Sequence, residues 1–193
     1  MRVLTSILLS LSLAFSVPVL ANDVSNAPEK VQDTVENFKK AQLTKPYFEN
    51  SHGYAVFPTI AKAGVGIGGA GGKGYVYEKG RFVGESSMGQ ISVGAQLGGQ
   101  AYSQIVFFEN KAAFDEFTRE GFEFTADASA VALTLGANAE AGTQGVNAAA
   151  SLSKSNGIAV SKYSKGMAIM TLAKGGLMYQ AALTGQKYSY KAR

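Results

Sequence analysis

The 193-residue sequence predicts an α+β domain, mainly antiparallel β: a curved or barrel-like sheet assembly with an N-terminal helical arm and one internal helix. Three observations lead there. A glycine-rich stretch, Gly64 to Gly74, opens a long run of extended sequence. Two later blocks alternate apolar with small or polar residues at a period of two, the mark of half-buried strands. Helical spacing of apolar residues appears only before the glycines and once between the two blocks.

The first 21 residues read as a secretory signal peptide: Met1-Arg2, an apolar run to Val17, and the small-residue ending Val19-Leu20-Ala21. Cleavage after Ala21 would start the mature chain at Asn22, with residues 22–193 forming one domain: an arm over about 28–50 and a β-rich core over about 51–190. There is no cysteine, so neither disulfides nor a lipoprotein anchor is expected, and the address is periplasmic, with peripheral contact to an envelope membrane. The net charge of +4 permits contact with an anionic surface; no nucleic-acid partner is expected.

Pro28 starts the arm. Acids come early (Glu29, Asp33, Glu36) and Lys39 and Lys40 late, which suits the helix dipole, while Val31, Val35, Phe38 and Ala41 share one face. That stripe fits either burial on the chain's own core or the plane of a lipid interface. Pro46 can open a second short helix through Asn50.

Gly53 to Pro58 reads as a short strand stopped by its proline. Seven glycines among the next stretch's eleven residues exclude a helix, since each costs about 0.8–1 kcal/mol against alanine. Gly64, Gly66, Gly68, Gly72 and Gly74 are therefore read as structural glycines, in a strand crowded against another backbone. Overlapping G-x-G-x-x-G matches lie here, Gly64-x-Gly66-x-x-Gly69 and Gly66-x-Gly68-x-x-Gly71 among them, but a strand pattern rather than a helix follows them, so no nucleotide site or other cofactor is expected. Tyr75–Tyr77 and Phe82-Val83 flank Lys79-Gly80 as a hairpin.

From Gly89, Ile91, Val93, Ala95 and Leu97 are assigned to one face, with Gln90, Ser92, Gly94 and Gln96 opposite. Ile105–Phe108 reads as a strand covered on both faces; Asn110 caps a helix over Lys111–Glu120 that Gly121 ends. The second block alternates over Val131–Asn138 and Val146–Ser153. Shorter apolar pieces follow at Ile158–Ser161, Met167–Met170 and Gly176–Tyr179, with lysine-glycine turns before the last two, again suggesting antiparallel sheet.

The order of these pieces resembles the SYLF lipid-binding domain family, in an exported bacterial form. The resemblance rests on Gly53-Tyr54-Ala55-Val56-Phe57-Pro58, Ile60-Ala61-Lys62-Ala63-Gly64, the glycine run, Gly94-Ala95-Gln96, Ile105 to Phe117, Ala126-Asp127-Ala128-Ser129 and Tyr163-Ser164-Lys165-Gly166. Where members carry Ser-Leu-Glu-Gly, this chain has Thr171-Leu172-Ala173-Lys174-Gly175-Gly176. The resemblance implies binding to membrane lipids, phosphoinositides in eukaryotic members and actin in some fungal ones. For an exported bacterial protein it translates to anionic phospholipid. Lys39, Lys40, Lys45 and Lys62 are the candidate lipid-binding residues, Lys62 because it matches a family position.

Catalysis is not expected. His52 is the only histidine, and no cysteine is present to join it in a metal site or nucleophilic pair, so no metal is expected. Ser151-Leu152-Ser153-Lys154 fits S-x-x-K on an alternating strand without companion motifs. Asp115, Glu116 and Glu120 read as a solvated helix face, and Asp127 as a turn brace. An outer-membrane β-barrel or envelope structural protein is the alternative, since export with alternating strands is its signature. Against it stand alanine- and glycine-rich faces and an end, Lys191-Ala192-Arg193, without a terminal aromatic.

Overall fold

The computed structural model describes residues 27–123, 133–135, 163–174 and 185–193. Helix α1 (Glu29–Lys40) follows Pro28, and a single 3-10 turn at Gln42–Thr44 leads into α2 (Lys45–Asn50), with Pro46 in its first turn. Thr44 closes the corner: its buried hydroxyl lies within hydrogen-bond distance of the carbonyls of Phe38 and Ala41 at the end of α1, which also accept from the Ala41 and Thr44 amides. Strand β1 (Gly53–Glu78) and strand β2 (Arg81–Phe108) form one long antiparallel hairpin. Its turn is Lys79-Gly80, both at positive φ (48° and 79°), the conformation that a two-residue hairpin turn requires.

Helix α3 (Lys111–Thr118) follows β2, with the Asn110 side chain accepting from the Ala113 amide at 3.0 Å. It ends two residues before the expected Glu120, where Arg119 turns extended; Gly121 adopts φ 74°. Strands β3 (Leu133–Leu135), β4 (Met167–Lys174) and β5 (Gln186–Ala192) complete the described sheet. Its order is β1-β2-β4-β3, with β5 also paired to β2, and among the described residues it does not close into a barrel. β4 pairs the C-terminal part of β2 and β5 the N-terminal part, along Ala101–Phe108 and Gly84–Gln90.

The sheet places a core on each face. Val31, Val35, Phe38, Ala41 and Tyr47 of the arm pack with Tyr54, Val56, Tyr77, Ile105, Phe107, Ala168 and Met170. On the other face Ala113, Phe114 and Phe117 of α3 join Phe57, Ile60, Val76, Met88, Val106, Phe108, Ile169 and Tyr188. Ile105 to Phe108 are fully buried, as a strand covered on both faces must be. Each buried aliphatic or phenyl side chain contributes about 1.5–3 kcal/mol. The arm's apolar stripe is thus committed to the protein's own core.

Several expectations are corrected. Pro58 does not stop a strand: β1 runs through it, at a register shift between Phe57 and Ile60 where the ladder does without an amide donor. The two sets assigned from Gly89 do lie on opposite faces at their start, but it is the polar set that goes inside. Gln90 is buried opposite Gln186, whereas Ile91 is 80% exposed. The register against β1 decides this, because a one-residue slip exchanges every side chain between faces. The second block is not wholly antiparallel, since Leu133–Leu135 pairs parallel with Met170–Leu172. β5 is a strand that was not expected from the sequence. The signal peptide, Asp127, Val146–Ser153, Ile158–Ser161 and Gly176–Tyr179 lie outside the described residues.

The glycines explain how so long a hairpin becomes compact. A Cβ on Gly72 would lie 2.5 Å from the Thr59 carbonyl oxygen, and one on Gly74 would lie 2.5 Å from ring atoms of Phe57. A Cβ on Gly64 would overlap the backbone at Gly68. The first half of β1 therefore lies against its own second half. The Lys79 amide donates to the His52 carbonyl at 2.9 Å, and His52 Nε2 meets Glu78 Oε1 at 2.8 Å, joining the two ends of the strand.

Candidate functional site

The candidate cations occupy two elements. Lys39 and Lys40 are exposed in the last turn of α1, where the helix dipole favours positive charge, and Lys45 is exposed at the start of α2. Phe38, just before them, is fully buried, which fixes the corner on the sheet and holds these lysines outward. Lys39 Nζ lies 5.6 Å from the Phe48 ring centroid, and Lys40 Nζ donates to Asn37 Oδ1 at 3.3 Å. Both contacts leave the ammonium groups in water. Lys62 is half-buried on β1, opposite Gln100, so the structure groups three of the four at the arm's corner and carries the fourth on the hairpin.

Of the structural glycines, Gly64, Gly72 and Gly74 face close backbone or ring contacts, Gly68 is buried, and Gly66 sits at the register shift between Val65 and Ile67. His52 is a brace between strand ends. Asp115 is exposed and paired to Lys111 at 2.6 Å, one turn away on α3; that hydrogen bond raises the Lys111 pKa. Ser151 lies outside the described residues. Among the described residues no group of three or more histidine, aspartate or glutamate side chains converges on one point.

A polar cluster is buried between β2 and β5. Tyr188 donates to Gln186 Oε1 at 2.6 Å and accepts from Gln104 Nε2 at 2.7 Å, while Gln186 Nε2 reaches the Tyr102 hydroxyl at 3.5 Å. Burial pushes the Tyr102 pKa up to about 12, and that of Tyr188 further in the same direction. Gln104 and Gln186 are fully enclosed, and the cluster ties β5 to the C-terminal part of β2, beyond the stretch it pairs with.

The exposed face of the hairpin's second half was not foreseen from the sequence. Odd-numbered residues from Ile67 to Lys73 on β1, Glu85 to Ile91 on β2 and Lys187 to Lys191 on β5 point outward there, including Ile67, Lys73, Ser87, Ile91, Lys187 and Lys191. The available signal was the alternation of Tyr188 and Tyr190 with Lys187, Ser189 and Lys191 at the end of the chain.

These features define a helix-braced, doubled-over β module with a basic corner. Residues 89–175 match the Ysc84 family model, described as Las17-binding protein actin regulator, so over that segment the chain is similar to this SYLF family. It is also similar to beta cell expansion factor A of Aeromonas veronii, 31% identical over 126 residues. That match takes in 60% of this chain and 45% of the relative, so the chain spans about half the length of the curated relative it matches.

Proposed function

We propose that the protein is a non-catalytic periplasmic lipid-binding module that associates reversibly with anionic phospholipid surfaces. The SYLF match supports a lipid-binding or actin-regulatory module, and a periplasmic address favours the first. The observation that carries the reading is the corner of the arm, where Lys39, Lys40 and Lys45 are exposed while the apolar stripe beneath them is buried. Each lysine near an anionic surface contributes on the order of 1 kcal/mol, and the attraction fades with salt. Such a surface docks without unfolding the arm.

Sedimentation with phosphatidylglycerol or cardiolipin vesicles, against neutral vesicles, tests this. Binding is expected only to the anionic vesicles and to weaken at high salt. A folded variant with Lys39, Lys40, Lys45 and Lys62 changed to glutamine should bind roughly tenfold more weakly or worse. Equal binding to neutral vesicles, or an unaffected variant, rejects the electrostatic mechanism. The address is checked separately: protein recovered from periplasmic shock fluid should begin at Asn22 by intact mass, and retention of Met1 would reject export by this route.

A further inference from the structure

The glycines of the hairpin fall into two classes, and only one is explained by the fold. Gly72 and Gly74 point inward, and a Cβ there would strike Thr59 and Phe57. Gly69, Gly71 and Gly89 are exposed, and none is at positive φ. A Cβ on Gly69 or Gly71 would come no closer than 3.7 or 3.4 Å to any neighbour, and one on Gly89 would meet nothing within 4 Å. Neither backbone conformation nor internal packing calls for glycine at these three positions. Glycine in a strand otherwise marks a surface that something approaches closely.

The same face carries Ile67 and Ile91, 70% and 80% exposed, the large apolar side chains left open among the described residues. The register sets out the rows. Ile67 lies beside the Gly69–Ile91 pair; Gly71, Gly89 and Lys187 come next, then Lys73, Ser87 and Ser189, then Tyr75, Glu85 and Lys191. Two isoleucines thus stand at one end, a bare backbone floor flanked by Lys187 in the middle, and Lys73 and Lys191 toward the other end. Lys187 lies 3.4 Å from Glu123, and Glu85 pairs across the ladder with Lys191.

The geometry points to this face as a second membrane-contact surface, in which Ile67 and Ile91 enter the headgroup–acyl boundary of an anionic bilayer while Lys73, Lys187 and Lys191 meet the phosphates. The inference rests on the lipid-binding reading above and adds to it an apolar anchor that the arm, with its stripe buried, does not supply. Size argues against a second copy of the chain as the occupant. Three strands about 4.8 Å apart and nine residues at about 3.3 Å rise make a face of about 400 Å². A stable protein interface takes about 800 Å² from each partner. A peripheral membrane contact needs only a few apolar side chains with nearby cations.

The chain has no tryptophan, so each isoleucine can be turned into a single reporter. Ile67→Trp and Ile91→Trp should shift their emission to the blue on adding phosphatidylglycerol vesicles and be quenched by brominated acyl chains. Glu116→Trp, on the exposed side of α3, should not. The double variant Ile67→Ser, Ile91→Ser should keep the wild-type melting temperature and lose roughly tenfold or more in vesicle partitioning. If wild-type protein binds the vesicles and the serine variant binds equally, this inference falls and the lysine-based reading stands. If wild-type protein binds no vesicle, both fall. Emission already blue without lipid would assign the face to the protein's own chain. A dimer in sedimentation velocity that the serine changes dissolve would assign it to a second copy. Either result overturns the proposal.

Discussion

Gly72→Ala is expected to destabilise the protein by about 3 kcal/mol, whereas Gly89→Ala, on the opposite face of the same hairpin, should stabilise it by about 0.5–1 kcal/mol. The new methyl at position 72 would lie 2.5 Å from the Thr59 carbonyl oxygen and 3.2 Å from the Ile60 Cα, both backbone atoms that no rotamer change can move. Relief requires the two halves of β1 to separate, and that gap would open beside Ile60, Phe57 and Val76 in the core. At position 89 a methyl meets nothing within 4 Å, so only the entropic benefit of replacing glycine in a strand remains. Thermal melts should show a fall of about 6–12 °C for the first change and a small rise for the second. Gly74→Ala separates side-chain crowding from backbone crowding, because its obstacle is the Phe57 ring. Combined with Phe57→Leu it should recover part of its loss, a coupling on the order of 1 kcal/mol, while Gly72→Ala should not be rescued by the same change. Equal losses at positions 72 and 89 would remove the doubled-over strand from consideration.

This contrast also shows what was legible in the sequence. The glycine run announced a crowded strand, and inward positions such as Gly72 and Gly74 bear that out, but composition alone does not say which glycines face the crowd. The helices were readable because their signals are local: Val31, Val35 and Phe38 repeat at helical spacing, and Asn110 caps its own helix. The Lys79-Gly80 turn was readable for the same reason. Pro58 misled because a proline stops a strand only where the ladder needs its amide, and the register shift beside it is a tertiary fact. The direction of Leu133–Leu135 against β4 was likewise not written in either segment.

Of the candidate site, the lysines of the arm were legible because charge on a helix face stays exposed. Ile67 and Ile91 were not. An alternating strand offers two faces, and the default puts the isoleucines inside and Gln90 outside. Here the inner face of the hairpin meets Gly72, Gly74, Met88 and Tyr188, and the amides of Gln90 and Gln186 go in with them. The polar interior is what sends Ile91 outward, and it is visible only once β5 has been aligned with β2.

That interior predicts the second large effect, a loss of stability in alkali. Tyr102 is buried, and desolvation of its phenolate pushes its pKa up to about 12; burial raises Tyr54 and Tyr188 as well, with the charge of Tyr77 adding at Tyr54. At Tyr188 the hydrogen bond from Gln104 works in the opposite direction but is outweighed. Below a pH of about 10 the folded and unfolded chains hold the same phenolic protons, and the tyrosines contribute their full stability. As pH rises past that point the unfolded chain gives up its protons first. The native state then binds more protons than the unfolded one, and the free energy of unfolding falls with pH. For Tyr102 alone the loss reaches about 3 kcal/mol by the time pH passes its folded value, because a tenfold change in proton affinity corresponds to about 1.4 kcal/mol. Tyr54 and Tyr188 extend the decline. Urea unfolding followed from about pH 9 to about pH 12 should give midpoints that drop progressively, with the phenolate absorbance of the buried tyrosines appearing only as the protein unfolds. Tyr188→Phe supplies the control. It removes the hydroxyl that joins Gln104 to Gln186, which should cost about 1–3 kcal/mol at neutral pH, and it should make the alkaline decline shallower. Midpoints that stay level across this range, or native protein whose tyrosines all ionise near 10, would show that water reaches the cluster and that β5 does not seal it.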